Sequence, residues 1–218
     1  MKDCSIVMAS FNRSALLKRT LESIKQQQTR FSYEIIVVND GSSDNTTEIA
    51  ISCGAKVIET NRKEYLNPGY ARNLGYRVSE GKVVICQSDD VFYSSDDVLE
   101  KLVDSCKINN AIFARVISLN ADESHERDYV GPSLRRPLFF LGAVYREHIF
   151  KVGGDDEDFI YPGYEDNWFS DRLLIGCSLE TVYRDDIIGY HQWHLRSGNI
   201  AENYAKMGRL YKKKRLEC

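Results

Sequence analysis

The 218-residue sequence predicts an α/β fold in which helices cover a mostly parallel central sheet. Short apolar runs alternate with longer stretches whose apolar residues recur at helical spacing. Polar turn residues follow the apolar runs, and the segments between runs are long enough for right-handed crossover connections. No repeat or linker interrupts the pattern, so we expect one continuous domain with a more mixed second half.

The first half contains four predicted strands, each followed by a helix. The strands are 5–10, 33–38, 56–59 and 83–86, and the helices are 14–24, 46–53, 67–78 and 96–107. Parallel strands present their carboxyl ends at one edge of a sheet, and ligands of open α/β sheets bind at that edge. The polar groups at 11–13, 39–42 and 88–90 should therefore lie together.

The second half is less regular. Strand-like runs occur at 111–119, 138–145, 180–183 and 187–191, and helical patterns occur at 165–175 and 199–215. Residues 120–136 are polar and charged, which predicts an excursion or mobile loop.

Composition excludes several classes of protein. The net charge is −3, with 29 basic and 32 acidic residues, so no global charge favours nucleic acid or anionic membrane. No apolar stretch is long enough to span a bilayer and no signal-peptide layout is present, so we expect a soluble protein, cytoplasmic or peripheral to a membrane. The six cysteines lack paired spacing and are interpreted as reduced thiols.

Two adjacent carboxylates, Asp89 and Asp90, end the apolar run that begins at Val83. Neighbouring carboxylates repel each other, so a divalent cation, N–H donors or open solvent must stabilise them. A plainer interpretation is that they open a loop and cap the next helix. The pair alone does not decide between these roles.

Four stretches, taken in order, resemble glycosyltransferase family 2 enzymes of the GT-A fold. They are SIVMASFNRSALLKRTLESIKQQ, YEIIVVNDGSSDNT, NPGYARNLGYRVSEGKVVICQSDD and GGDDEDFIYPGYEDNWFSDRL. The resemblance implies a Rossmann-like three-layer sandwich with a nucleotide-binding half at 1–107 and an acceptor half at 108–218. It also implies an inverting transferase that uses a nucleoside-diphosphate sugar, with a UDP-linked donor as the expectation.

The resemblance assigns donor-binding residues. Phe11 could pack on the base or simply fill the core, and Asp40 could accept a base N–H or cap a turn. Arg13 and Arg72 are candidate phosphate partners, with a solvated face as the alternative. The complete predicted donor set is Ala9, Phe11, Arg13, Asp40, Arg72, Ser88 and Asp89.

The same resemblance implies a Mn²⁺ or Mg²⁺ cofactor. Asp90 is the predicted ligand, Asp89 stays open as an alternative, and His191 is favoured over His194 as an imidazole ligand. Gln87 stands where the common family pattern has an aspartate, which leaves one charge fewer near the ribose or the metal.

The Glu165-Asp166 pair matches the family's catalytic segment. Asp166 is the predicted base for the acceptor hydroxyl and Glu165 is the second choice, while the alternative is a favourable charge at a helix N-terminus. Trp193 could line the acceptor site or pack in the core.

Two competing functions stay open on the sequence. A sugar nucleotidyltransferase would be expected to have a glycine- and lysine-rich phosphate loop, which FNRSALLKR lacks. A nucleotide-sugar-binding module without catalysis is the non-enzymatic alternative. The acceptor is open among a lipid-linked glycan, another glycan, a protein, a small metabolite and a modified nucleic acid, and the sequence predicts no oligomeric state.

Overall fold

The computed structural model describes residues 2–60, 62–63, 66–131, 134, 136–195 and 200–217. The strands are β1 (Cys4–Ser10), β2 (Tyr33–Asn39), β3 (Lys56–Glu59), β4 (Val83–Gln87), β5 (Val91–Tyr93), β6 (Asn110–Leu119), β7 (His125–Val130), β8 (Leu141–Tyr145) and β9 (Glu180–His191). The helices are α1 (Ser14–Lys25), α2 (Thr46–Ser52), α3 (Gly69–Val78), α4 (Val98–Ser105), α5 (Arg146–Lys151), α6 (Glu165–Gly176) and α7 (Ile200–Leu216).

One sheet contains all of these strands. Its order is β3-β2-β1-β4-β8-β6-β9-β5, and β7 pairs with β6 beside this path. The first four strands are mutually parallel, and β6 is parallel to β9, whereas β8, β7 and β5 run antiparallel to their neighbours. The predicted α/β class, with a regular first half and a mixed second half, is therefore confirmed.

The register aligns the carboxyl ends of the parallel strands. Ser10 at the end of β1 pairs with Asn39 at the end of β2, and Val7 pairs with Cys86 on β4. The predicted polar edge is therefore present, with residues 11–13, 40–42 and 88–90 following three adjacent strands.

The centre of the sheet, at β1, is buried on both faces. Ile6 and Met8 of β1 join one apolar cluster with α1 and α4, whereas Val7 between them joins a second cluster with α3 and α6. This period-two alternation of fully buried side chains places helices on both sides of the strand, as a three-layer arrangement requires.

The two helices next to the edge are capped by one side chain. Asp44 Oδ2 accepts the backbone N–H of Ser14 at 2.9 Å, and Asp44 Oδ1 accepts that of Thr46 at 3.1 Å. Arg13 and Asn45 are the N-cap residues and make no side-chain cap bond. Asp44, rather than either N-cap residue, therefore caps both helix starts.

The second half differs from the sequence prediction in two places. Within the predicted excursion at 120–136, His125–Val130 forms β7, an antiparallel partner of β6; residues 132, 133 and 135 lie outside the described residues. The sequence did not predict β7, because its charged residues are exposed, as is typical of an edge strand, and do not form an apolar run. The predicted strands 180–183 and 187–191 are one strand, β9, because a register shift opposite Ala114 and Arg115 absorbs the polar residues between them.

Three smaller elements also depart from the prediction. The short strand β5 and the six-residue helix α5 were not predicted, and β8 begins at Leu141 rather than at 138. Helix α7 matches the predicted 199–215, whose first residue lies outside the described residues.

None of the described helices has both the length and the apolar character needed to cross a bilayer. Five cysteines are free thiols: Cys4, Cys53, Cys86, Cys106 and Cys177. Cys218 lies outside the described residues.

Candidate active site

A cavity of about 350 Å³ opens at the carboxyl edge of β1, β2 and β4. Every residue predicted for donor binding, metal binding or catalysis lines it, together with His194. These residues are Ala9, Phe11, Arg13, Asp40, Arg72, Ser88, Asp89, Asp90, Glu165, Asp166 and His191. The first half of the chain supplies eight of them and the second half supplies the rest.

Asp40 forms a buried carboxylate at the end of β2. Its Oδ1 accepts the Thr60 hydroxyl at 2.7 Å and its Oδ2 accepts Arg62 Nη1 at 3.3 Å. Burial raises the pKa of Asp40, while Thr60 and the Arg62 guanidinium act in the opposite direction. Arg62, which also lies 4.2 Å over the Tyr70 ring, is a partner that the sequence did not indicate.

Gly41 shapes the turn after Asp40. Its φ is +89°, and a Cβ there would lie 1.9 Å from the backbone oxygen of Arg62. Only glycine permits this approach of the Arg62 segment to Asp40.

Gln87 anchors the turn that presents the two aspartates. Its amide Nε2 donates to the backbone oxygen of Val91 at 2.8 Å, and its Oε1 accepts the Tyr93 hydroxyl at 2.7 Å. Gln87 is 3% exposed, so these bonds tie the two ends of the 88–90 turn together inside the core. Gln87 therefore has a structural role at the position where the common family pattern has a charged aspartate.

Asp90 is the centre of a cluster of charged groups. Its Oδ2 lies 2.6 Å from Arg13 Nη1, 3.2 Å from His194 Nε2 and 3.5 Å from His191 Nε2. Burial acts to raise the pKa of Asp90, but the His194 hydrogen bond and the nearby charges of His191 and Arg13 outweigh it and hold that pKa well below its usual range. Asp90 is therefore an anion at neutral pH, and its bond raises the pKa of His194.

Asp89 differs from its neighbour. Burial raises its pKa to about 6, against the opposing effect of Arg13 Nη1, which lies 3.1 Å from Asp89 Oδ1. Asp89 Oδ2 is buried and has no hydrogen-bond partner in the described part of the chain.

The Asp90 cluster fits a divalent cation. Single ligand atoms of Asp90, His191 and His194 all lie within 4.8 Å of one another. A carboxylate with two imidazoles suits Mn²⁺ and other transition metals better than Mg²⁺, which prefers oxygen ligands. The unpartnered oxygen of Asp89, next along the chain, adds a further acceptor nearby.

Arg72 and Asp166 meet on another wall of the cavity. Arg72 Nη1 on α3 donates to Asp166 Oδ1 at 2.7 Å, and Arg72 Nη2 donates to Asp155 Oδ1 at 2.8 Å. Both terminal nitrogens of Arg72 therefore bind carboxylates, although the sequence suggested a phosphate partner. Asp155 was not among the predicted site residues, although its position in the GGDDED segment could have indicated it.

Glu165 lies beside Asp166 at the first turn of α6. The chain enters that helix through Gly163 and Tyr164, both with positive φ, and Glu165 Oε2 accepts the Gly163 N–H. Burial, reinforced by the Asp166 charge and opposed by Arg72, raises the pKa of Glu165 to about 8. Burial therefore favours the protonated form of Glu165.

The second half adds aromatic residues that the sequence did not indicate. Tyr129 on β7 stacks on His191 with ring centroids 5.3 Å apart, and Tyr204 on α7 packs against Tyr164 at 4.6 Å. Both tyrosines and Arg136 line the cavity. No local pattern marked them, because their position depends on β7 and α7 returning to the edge of the sheet.

Trp193 lies outside this cavity. It is 50% exposed and lines a smaller crevice of about 160 Å³ with Arg19 and Glu123. Neither the core role nor a place in the main cavity is observed.

The strand order and the edge cavity define an α/β protein of the GT-A type. Residues 5–155 match the model of glycosyl transferase family 2. The chain belongs to glycosyl transferase family 2.

Individual relatives agree with this membership. An uncharacterized glycosyltransferase of Rickettsia bellii is 33% identical over 55% of this chain and 17% of its own length. The chondroitin synthase of Escherichia coli is 26% identical over 86% of this chain and 34% of its own length. The chain thus spans at most about a third of these two relatives.

Solved structures share the fold. S. aureus TarS 1–349 in complex with UDP-GlcNAc has a TM-score of 0.71 at 17% identity, covering 90% of this chain and 60% of its own. The mannosyltransferase PcManGT from Pyrobaculum calidifontis, in complex with GDP-Man and Mn²⁺, has a TM-score of 0.65 at 17% identity, covering 87% and 56%.

Proposed function

We propose that the chain transfers a sugar from a nucleoside-diphosphate sugar to an acceptor hydroxyl, with inversion at the anomeric carbon. The donor is UDP-linked, a divalent cation assists, and Asp166 is the general base. One observation carries this proposal: a cluster suited to a cation, Asp90 with His191 and His194, and an arginine-held carboxylate, Asp166, line a single cavity.

Asp90, His191 and His194 would hold Mn²⁺, with Asp89 as the neighbouring carboxylate. The bound cation supplies positive charge for the leaving diphosphate. Asp40 accepts an N–H of the base, and Ala9 and Phe11 line the same cavity. Ser88 and Arg13 adjoin the metal cluster: the Ser88 hydroxyl donates to Asp90 Oδ1 at 2.7 Å, and Arg13 Nη1 lies 2.6 Å from Asp90 Oδ2.

The reaction is a single displacement. Asp166 takes the proton of the acceptor hydroxyl while that oxygen bonds to the anomeric carbon. The bond from the anomeric carbon to the phosphate oxygen breaks, and the nucleoside diphosphate leaves with the electron pair. Attack opposite the leaving group inverts the configuration.

The choice of substrates draws on the relatives. TarS binds UDP-GlcNAc, whereas PcManGT binds GDP-Man, so UDP is the preferred but not the sole donor to test. The relatives include a chondroitin synthase and a poly(ribitol-phosphate) β-N-acetylglucosaminyltransferase, TarP. A hydroxyl of a glycan or polyol chain is therefore the proposed acceptor.

Thermal unfolding with nucleotide sugars tests the donor assignment. UDP-GlcNAc, UDP-GalNAc, UDP-glucose and GDP-mannose are each added with and without Mn²⁺. A ligand at a hundred times its Kd stabilises the native state by about 2.7 kcal/mol. Asp90→Ala should remove the Mn²⁺-dependent part, and Asp185→Ala, an exposed aspartate on β9, should retain it. If no nucleotide sugar stabilises the chain, the proposal is wrong.

Release of UDP separates an enzyme from a binding module. The wild-type chain should release UDP from the selected donor, and Asp166→Asn should bind that donor equally but release little UDP. A chain that binds the donor, releases no UDP and is unaffected by Asp166→Asn would be a module without catalysis.

A further inference from the structure

A buried ion-pair bridge lies behind the proposed base. Asp155, Arg72 and Asp166 are joined through the two terminal nitrogens of the arginine, at 2.8 and 2.7 Å. The side chain of Asp155 is 1% exposed, that of Arg72 10% and that of Asp166 19%. Exposure therefore increases along the bridge toward the cavity. Asp155 itself does not line the cavity.

The backbone of Asp155 is fixed from two sides. Asn73 Nδ2 donates to the backbone oxygen of Asp155 at 2.9 Å, and Asn73 Oδ1 accepts its N–H at 2.7 Å. Arg72 and Asn73 are consecutive residues of α3, so this helix holds both the backbone and the side chain of Asp155.

The bridge involves only one of the two oxygens of Asp166. Arg72 occupies Asp166 Oδ1, whereas no hydrogen bond from a described residue is made to Asp166 Oδ2. A guanidinium with a single carboxylate partner could rotate about its side-chain torsions. A second carboxylate on the opposite nitrogen holds its plane, because each N–H···O bond fixes one direction.

We propose that Asp155 is a positioning residue that acts through Arg72 to hold Asp166 with Oδ2 directed at the acceptor hydroxyl. The inference rests on the proposed function, since it assumes that Asp166 is the base. It assigns a role to the first aspartate of the DDED segment, which does not line the cavity. Burial raises the pKa of Asp155 to about 6, and the Arg72 guanidinium opposes that rise.

Several further groups act electrostatically on the bridge and must be considered in any pH experiment. They are Arg172, Glu165, Tyr76 and Cys86, in addition to the three members of the bridge.

Two substitutions at Asp155 separate anchoring from charge. Asp155→Ala removes the anchor, so kcat for UDP release should fall about tenfold or more, as expected when a reacting group loses its orientation. The KM for the nucleotide sugar should stay within about twofold of wild type, because Asp155 is outside the cavity. Asp155→Asn keeps an oxygen acceptor for Arg72 and should recover part of the lost kcat.

The pH profile gives the readout that a purely structural role would not change. Asp155→Asn replaces a carboxylate whose pKa is about 6 with an amide that does not titrate. If the ionised Asp155 carboxylate anchors Arg72, the acid limb that Asp155 gives the wild-type kcat profile near this pH should be absent from the Asp155→Asn profile. If Asp155→Ala does not fold, this comparison decides alone.

Asp158→Asn is the matched control, because Asp158 is an exposed aspartate of the same loop that bonds Lys214 instead. It should keep wild-type kcat and profile. Loss of kcat that only parallels loss of folded protein, with the wild-type acid limb retained in Asp155→Asn, overturns the inference while leaving the proposed function intact. Retained activity in Asp166→Asn defeats the base assignment itself.

Discussion

Replacing Gly154 by alanine should destabilise the protein more than the same change at Gly54. Both glycines have nearly equal positive φ, +76° and +81°, so both substitutions carry the cost of a left-handed L-residue, about 1 kcal/mol. At Gly54 a new Cβ meets nothing within 4 Å. At Gly154 it would lie 2.2 Å from Asn73 Oδ1.

The additional cost at Gly154 comes from displacing Asn73. That side chain is 5% exposed, and its Oδ1 accepts the Asp155 N–H at 2.7 Å. Moving it leaves a buried donor unpaired, which costs about 2 kcal/mol. Gly154→Ala should therefore lose about 3 kcal/mol and Gly54→Ala about 1 kcal/mol.

Urea unfolding of the two variants beside wild type measures this difference. Equal m-values would show that the denatured states are comparable. The difference of about 2 kcal/mol corresponds to a Tm lower by about 4 to 8 °C in Gly154→Ala than in Gly54→Ala. Equal losses in the two variants would refute the close approach of Asn73 to Gly154.

Three further predictions concern other parts of the site. Because burial raises the pKa of Glu165 from 4.5 to about 8, the folded protein keeps a proton that the unfolded chain releases, so the free energy of unfolding of the wild type should fall as pH rises from about 4.5 to 8. The free energy of unfolding of Glu165→Gln, measured with urea, should fall less over the same range, and an equal fall in both proteins would contradict this cause. His194→Ala should weaken Mn²⁺ binding about tenfold or more in calorimetry, whereas replacing His125, an exposed histidine on β7, by alanine should leave the affinity at the wild-type value. Equal affinities in the two variants would show that His194 is not a metal ligand. Gln87→Leu leaves the buried Tyr93 hydroxyl and the Val91 backbone carbonyl without their hydrogen-bond partner, so it should lower the free energy of unfolding in urea by about 2 kcal/mol more than Tyr93→Phe does. Equal losses would show that the Gln87 amide does not anchor the turn.

The division of the chain into strands and helices could be predicted in the first half because it is local. A buried strand such as β4 is a run of apolar residues, and the polar residues that follow it must lie at the edge. β7 could not be predicted in this way, because its charged residues face solvent and only pairing with β6 makes them a strand.

The same distinction between local pattern and long-range packing applies to the candidate site. The residue types that reach the edge could be predicted, because Asp40, Asp89 and Asp90 follow parallel strands whatever the second half does. The contacts between distant residues could not. Arg72 reaches Asp155 across 83 positions, and His194 reaches Asp90 across more than a hundred. Such pairs depend on how two layers pack against one sheet, and no local spacing records that packing.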